Sequence, residues 1–159
     1  MNKIIGLDLG TRTLGISYCD ELGIIHPREN FCFEKGNYKK AREHLVEILN
    51  EENIKHVVIG YPRRLDLTEG DRCESVKRFM NDILKVIPDL DVIYHDESYS
   101  TIEARERLRD QGMKEDKIKT IIDMMSAVVI LEDYVRSIKK WINYPTMKSL
   151  FMMKKATNI

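Results

Sequence analysis

Apolar positions along this chain switch between two spacings. Lys3–Asp8 is a short apolar run that ends on an acid, the pattern of a buried strand. Leu14–Cys19 alternates around Ile16 and Tyr18 and predicts a second strand. Gly23–Phe33 predicts a third, with Pro27 marking an edge or a bend. The short connections between these three predict an antiparallel meander. Beyond Gly36 the spacing becomes helical: Ala41, Leu45, Ile48 and Leu49 share one face, and that helix should end near Asn53. His56–Ile59 reads as a buried strand bounded by Gly60 and Pro62, and Arg63–Gly70 as a polar loop. Val76, Phe79, Met80, Ile83 and Leu84 form the core face of a second helix that stops before Pro88. Asp91–His95 predicts another strand, Ile102–Gln111 a third helix stopped by Gly112, and Asp116–Ile138 the longest helix.

The order β-β-β-α-β-α-β-α-α predicts an α/β fold with a mixed five-stranded sheet. Three antiparallel strands come first and parallel strands follow, with helices on both faces. In such sheets, sites form beyond the carboxyl ends of the strands. That rule directs attention to Asp8 and Gly10, to Gly60–Arg64, and to Asp96–Ser100.

Composition narrows the functional classes. At 159 residues the chain has the length of one domain. Lys+Arg and Asp+Glu both total 26, which excludes a globally cationic nucleic-acid coat but not a local basic patch. Cys19, Cys32 and Cys73 are too few and too scattered for a disulfide framework or a zinc cage, so a reduced, cytoplasmic setting is expected. The opening MNKIIGLDLG has no apolar signal-peptide core, and the longest apolar run, Ala127–Leu131, is far below a membrane span, so no membrane role is expected. Charge is uneven: from Tyr134 to Ile159 there are six basic residues and no acid, interleaved with Trp141, Tyr144 and Phe151. Such a tail is either a nucleic-acid arm or a terminal helix with a frayed end.

Three acids stand out chemically. Asp8 ends a buried strand, where an unpaired charge is costly, and Gly6 and Gly10 leave room beside it for a backbone, a metal ion or a phosphate. Its alternative role is to cap a hairpin turn. Asp96 and Glu97 follow the last strand; alternation sends them to opposite sides, and the sequence leaves open which one shares a site with Asp8. Asp123 interrupts an apolar helical run, and small Ser126 and Ala127 would let that face press close to the sheet. Its alternative is an i−4 pair with Lys119. Three carboxylates would suit a hard divalent cation such as Mg²⁺ or Mn²⁺, and a pair of such ions can hold a phosphodiester.

Four collinear motifs resemble one family. Gly6–Gly15 (GLDLGTRTLG) is similar to the opening strand and hairpin of the YqgF-type (RuvX-like) nucleases. Gly60-Tyr61-Pro62 with Thr68-Glu69-Gly70 resembles their G-[LY]-P loop and T-E-G turn. Asp96–Thr101 (DESYST) resembles their D-E-R-L-T-T segment, and Ile122–Leu131 their I-D-x-x-[AS]-A-x-x-I-L helix. The likeness runs from Lys3 to Val135. It implies an RNase H-like nuclease domain over 1–138 and leaves a basic C-terminal extension over 139–159. It also implies metal-dependent phosphodiester hydrolysis of structured nucleic acid. Members are described as nucleases maturing the 5′ end of pre-16S rRNA and as Holliday junction resolvases. Carried onto this chain, the metal-binding and catalytic acids are Asp8, Glu97 and Asp123, with Mg²⁺ or Mn²⁺ bound as two ions. Thr11, Arg12, Arg63, Arg64, Arg72 and Ser100, in or beside these motifs, are the expected substrate-binding residues.

The chain departs from the pattern at two places: Ser98 replaces the usual Arg after the acid pair, and Met124 the usual Lys after the helix Asp. Arg12, Arg63, Arg64 and Arg72 can compensate for those lost phosphate contacts. Arg105, Arg107 and Arg109 alternate with Glu103, Glu106 and Asp110 and read as a self-paired solvated face. His26, His44, His56 and His95 do not cluster, and His95 reads as a neutral packing residue. Two rivals remain. Asp8–Thr11 also fits the phosphate loop of sugar-kinase and actin-like ATPases, but these need two such domains. A nuclease fold reduced to binding RNA or protein is the other. The RNA–DNA choice has no sequence signature. The family favours RNA, with a ribosomal precursor particle as partner. Branched DNA calls for a homodimer, for which Met147, Met152 and Met153 offer a seam.

Overall fold

The computed structural model describes residues 2–63, 66, 69–97 and 99–142, the last two by backbone alone. Arg64, Thr68, Ser98 and the tail positions Tyr144, Met147, Phe151, Met152 and Met153 lie outside the described residues. The elements are β1 (Ile4–Leu9), β2 (Thr13–Cys19), β3 (Ile25–Cys32), α1 (Tyr38–Glu51), β4 (His56–Tyr61), α2 (Asp71–Val86), β5 (Asp91–Asp96), α3 (Ser100–Asp110) and α4 (Glu115–Ile142).

The five strands form one sheet in the order β3-β2-β1-β4-β5. β1–β2 and β2–β3 are antiparallel, whereas β1–β4 and β4–β5 are parallel, as expected. β1 is central, and all of its residues are buried. β3 is an edge strand, and its pairing slips where Ile16 faces Glu29 but Ser17 faces Pro27. The proline sits where a missing N–H costs least.

Alternation divides β1 between two cores. Ile5, Leu7 and Leu9 face a large cluster with Leu45 and Leu49 of α1 and Phe79, Met80 and Ile83 of α2. On the other face, Ile4, Cys19 and Val58 pack against Ile130, Leu131, Tyr134 and Val135 of α4. Each such aliphatic side chain contributes about 1.5–3 kcal/mol on burial, so the helices have no better place than these faces. α3 packs on α4.

Two helices end by the same device. Asn53 (φ 51°) follows α1, with Ile54 N–H donating to Leu49 O at 2.9 Å, and Gly112 (φ 79°) follows α3, with Met113 N–H donating to Leu108 O at 3.1 Å. Both are left-handed terminators that satisfy otherwise orphaned carbonyls. α4 extends past the expected end at Ile138 to Ile142, so the 138/139 division falls within a helix.

Candidate active site

Small residues on the α4 side of the sheet create the site. The β1 positions on that side are Ile4, Gly6 and Asp8, paired in register with Cys19, Ser17 and Gly15 of β2. A Cβ on Gly15 would collide with the Asp123 carbonyl and stand 2.6 Å from Met124 N, and one on Gly6 would stand 3.0 Å from Ala127 O. Ser17 Oγ donates to Ala127 O at 2.8 Å. The α4 backbone therefore lies directly on the β1–β2 pair. Because Gly15 is opposite Asp8, this contact brings Asp123 beside Asp8.

Parity along β5 selects the third acid. Ile93 pairs with Val58 and His95 with Gly60, so alternate residues of β5 share the α4 side. Glu97 continues that series, and its backbone N–H reaches Tyr61 O at 3.4 Å. A Cβ on Gly60 would overlap Glu97 Oε2 and stand 2.7 Å from its Cδ, so the glycine makes the slot that holds this carboxylate. Asp96, of opposite parity, is exposed.

Asp8, Glu97 and Asp123 line one cavity of about 440 Å³. Burial pushes the Asp8 carboxyl well above the usual range, and the nearby Glu97 and Asp123 charges push it further, while Arg72 opposes them. Burial likewise pushes Glu97 up to about 7, against the pull of its hydrogen bond with Asp8 and of Arg72. Two buried carboxylates in contact hold a proton between them, because both cannot ionise cheaply in a low-dielectric pocket. Asp123 is half-buried, and the Thr13 hydroxyl donates to its Oδ2.

Four of the expected substrate-binding residues line the cavity: Thr11, Arg12, Arg63 and Arg72. Arg72 Nη2 also donates to Leu9 O at 2.8 Å, fixing its cation beside the acids. The turn carrying Thr11 and Arg12 is anchored from outside, since Gly36 N–H donates to Thr11 O and Phe33 N–H to Arg12 O. Ser100 is not brought to the cavity. It is buried at the start of α3, with its hydroxyl donating to Glu97 O at 3.1 Å, and Thr101 lines the wall instead. Thr13 and Thr101 were not expected. Thr13 was findable, because it shares the parity of Gly15 and Ser17.

The other polar candidates have separate partners. Arg105 and Arg109 (3.2 Å) pair with Glu115, and Arg107 pairs with Glu103 at 2.8 Å and Glu132 at 2.7 Å. The reading of His95 as a packing residue needs correction: its Nε2 lies 3.0 Å from Asp133 Oδ2, tying β5 to α4. That alternation sets its direction, toward α4 and not into the sheet, explains why an acid meets it.

The donor set suits a hard cation. All three acids offer oxygen, the type such ions take. Glu97 Oε2 is buried with no hydrogen-bond partner, a position that a cation would satisfy. Among the described residues, no three His, Cys, Asp or Glu side chains are already arranged as a metal cage. Asp8 and Glu97 are engaged with each other and Asp123 with Thr13, so each would exchange those contacts for the ion. The residues fit the ion chemically.

Comparison with known proteins adds four findings. The sequence model of RuvX, described as Holliday junction resolvase, matches residues 2–137. A protein of Lachnospira eligens named "Putative pre-16S rRNA nuclease" is 36% identical over 140 residues, covering 87% of this chain and 99% of its own. One of Geobacillus sp. with the same name is 36% identical over 136 residues, covering 85% and 98%. Among solved structures, Thermus thermophilus RuvC in complex with a Holliday junction substrate superposes with a TM-score of 0.54 at 12% identity, covering 86% of this chain and 96% of that one. This last likeness is one of fold, the RNase H-like arrangement expected from the sequence. Among the described residues no helix is long and apolar enough to cross a membrane.

Proposed function

This chain belongs to the RuvX family, and from that premise we propose that it is a divalent-metal-dependent nuclease that processes the 5′ end of pre-16S rRNA in the cytoplasm. The observation that carries the reading is the convergence of Asp8, Glu97 and Asp123, from three separate elements, on one cavity rimmed by arginines. Relatives above 30% identity bearing the rRNA nuclease name support RNA over branched DNA, since the resemblance to RuvC is of fold alone.

Each residue has a role derived from its position. Asp8, Glu97 and Asp123 would hold Mg²⁺ or Mn²⁺, as two ions. When bound, the ions would supply Lewis-acid polarisation of a phosphoryl oxygen and of an attacking water, and charge stabilisation at the leaving oxygen. Asp8 and Glu97 must release their shared proton to become ligands, so loading strengthens as pH rises through about 7. Thr13 orients Asp123 through its hydroxyl. Arg12 and Arg63 face the cavity and would take phosphate oxygens, fixing the backbone in register without reading sequence. Arg72 is committed to Leu9 O and to moderating the acids.

The test is side-by-side cleavage of an rRNA precursor and a four-way DNA junction with Mg²⁺ or Mn²⁺, with the mass in solution measured alongside. Precursor cleavage that Asp8→Asn abolishes, with melting unchanged or raised, is the expected result. Preferential junction cutting by a dimer would assign the resolvase role instead. Equal cleavage by Asp8→Asn would trace the activity to a contaminant.

A further inference from the structure

Tyr61 closes β4 at the foot of the loop that carries Arg63, and it is only 3% exposed. Its carbonyl oxygen accepts two backbone N–H groups, from Arg63 at 2.9 Å and from Glu97 at 3.4 Å. One residue thus starts both the loop with the cavity arginine and the segment with the buried acid. Its ring meets two cations. The Arg63 guanidinium carbon stands 5.3 Å from the ring centroid and Lys77 Nζ 5.6 Å from it. Both distances are within cation–π range. Tyr94 meets the same ring edge-on at 5.4 Å and fixes its plane. Lys77, on α2, bonds Glu69 at 3.0 Å near the other end of the loop. The buried Tyr61 hydroxyl faces Lys77 and Glu69, so Lys77 meets both hydroxyl and ring, whereas Arg63 meets the ring.

We propose that Tyr61 is a positioning residue whose ring is a platform holding Arg63 toward the cavity, with Lys77 and Glu69 securing the far end of the loop against it. This rests on the nuclease reading, in which Arg63 meets a phosphate. The physical reason is preorganisation. An arginine side chain samples many rotamers, and one already stacked on a fixed ring loses less freedom when a phosphate arrives. Its benefit is realised equally in the bound substrate and the transition state, so it should appear in binding and not in turnover.

The experiment measures cleavage of an rRNA precursor fragment and, separately, its equilibrium binding by fluorescence anisotropy. The proteins are the full-length wild type, Tyr61→Phe, Tyr61→Leu, Arg63→Ala and the Tyr61→Leu/Arg63→Ala double variant, each checked by thermal melting. Tyr61→Phe keeps the ring under Arg63 and removes only the hydroxyl beside Lys77 and Glu69, so it should hold KM and Kd within about twofold of wild type. Tyr61→Leu and Arg63→Ala should each raise KM and Kd about fivefold to tenfold, with kcat changed less than about twofold, as removal of uniform binding requires. The double variant should bind no more weakly than Arg63→Ala, because both changes remove one contact. Losses that add, a fall in kcat at constant KM, or Tyr61→Phe as impaired as Tyr61→Leu would overturn the proposal. Should Tyr61→Leu fail to fold, Tyr61→Met, which keeps apolar bulk without a ring, replaces it with the same expected and overturning results. Wild-type protein that neither cuts nor binds the RNA would defeat the nuclease reading and the proposal together, whereas additive variants of an active enzyme defeat the proposal alone.

Discussion

Replacing Glu97 with Gln should make the metal-free protein more stable, and chiefly at high pH. The carboxyl is pushed from its ordinary 4.5 to about 7, chiefly by burial. The folded state therefore binds this proton more tightly than the unfolded chain does. Stability from Glu97 is fully present below about pH 4.5 and is lost as pH rises through about 7. At ~1.36 kcal/mol for each tenfold change in proton affinity, the loss approaches about 3 kcal/mol by pH 8. Glutamine keeps the shape, stays neutral, and can donate an amide hydrogen to the Asp8 carboxylate. The assay is thermal melting of both proteins from pH 5 to pH 8.5 with a chelator present. Near pH 5 the gap should be small, about 2–3 °C, because half a unit above the ordinary 4.5 costs under about 1 kcal/mol. By pH 8, Glu97→Gln should melt about 6–12 °C higher, at 2–4 °C per kcal/mol for a domain of this size. Taking the difference between the proteins removes the pH dependence that they share. Adding a divalent cation should close the gap, because ligand at a hundred times its Kd stabilises the wild type by about 2.7 kcal/mol and the variant far less. A pH-independent difference, or a wild type more stable than the variant at pH 8, would refute the reasoning.

Three other outcomes follow from the same geometry. Gly15→Ala places a Cβ into the α4 backbone at Asp123 and Met124, which cannot yield as a side chain tip would. It should destabilise the fold by about 3 kcal/mol or more and abolish cleavage, read by melting and a single-turnover assay. Thr13→Val removes the hydroxyl that orients Asp123 and should lower kcat severalfold at a stability loss of about 1.5–3 kcal/mol, the scale of a hydrogen bond to a charged group. A wild-type kcat would mean that Asp123 orients itself. Arg72→Met removes the cation that opposes the rise in both buried acids and should destabilise the protein more at pH 8 than at pH 5.5, measured by denaturant titration at each pH.

Much of the architecture was legible because it depends on periodicity, which is local. The strand runs, the helical faces and the stop signal at Gly112 each need only a dozen neighbouring residues to be read. The meander followed by α/β alternation then limited the sheet to few topologies. Motif likeness added the family and the choice of Glu97, which periodicity alone left open between two adjacent acids. The packing reason for that choice is the parity of β5 against Gly60, and it requires knowing which side of the sheet α4 covers.

Ser100 shows the complementary limit. A polar residue in a motif was expected to face substrate, but the α3 start turns its hydroxyl back to the Glu97 carbonyl and presents Thr101 to the cavity. A helix rotates successive side chains by about 100°, so one position decides between wall and interior. The sequence by itself determined the elements, their order and the acids that a buried site would need. Only the tertiary structure decided that three glycines become slots, one for the α4 backbone at Gly15, one for the Glu97 carboxylate at Gly60 and one leaving space for Asp123 and Thr13 at Gly10. A missing side chain has no pattern of its own along the chain, and its meaning comes from whatever distant group the fold packs into the space.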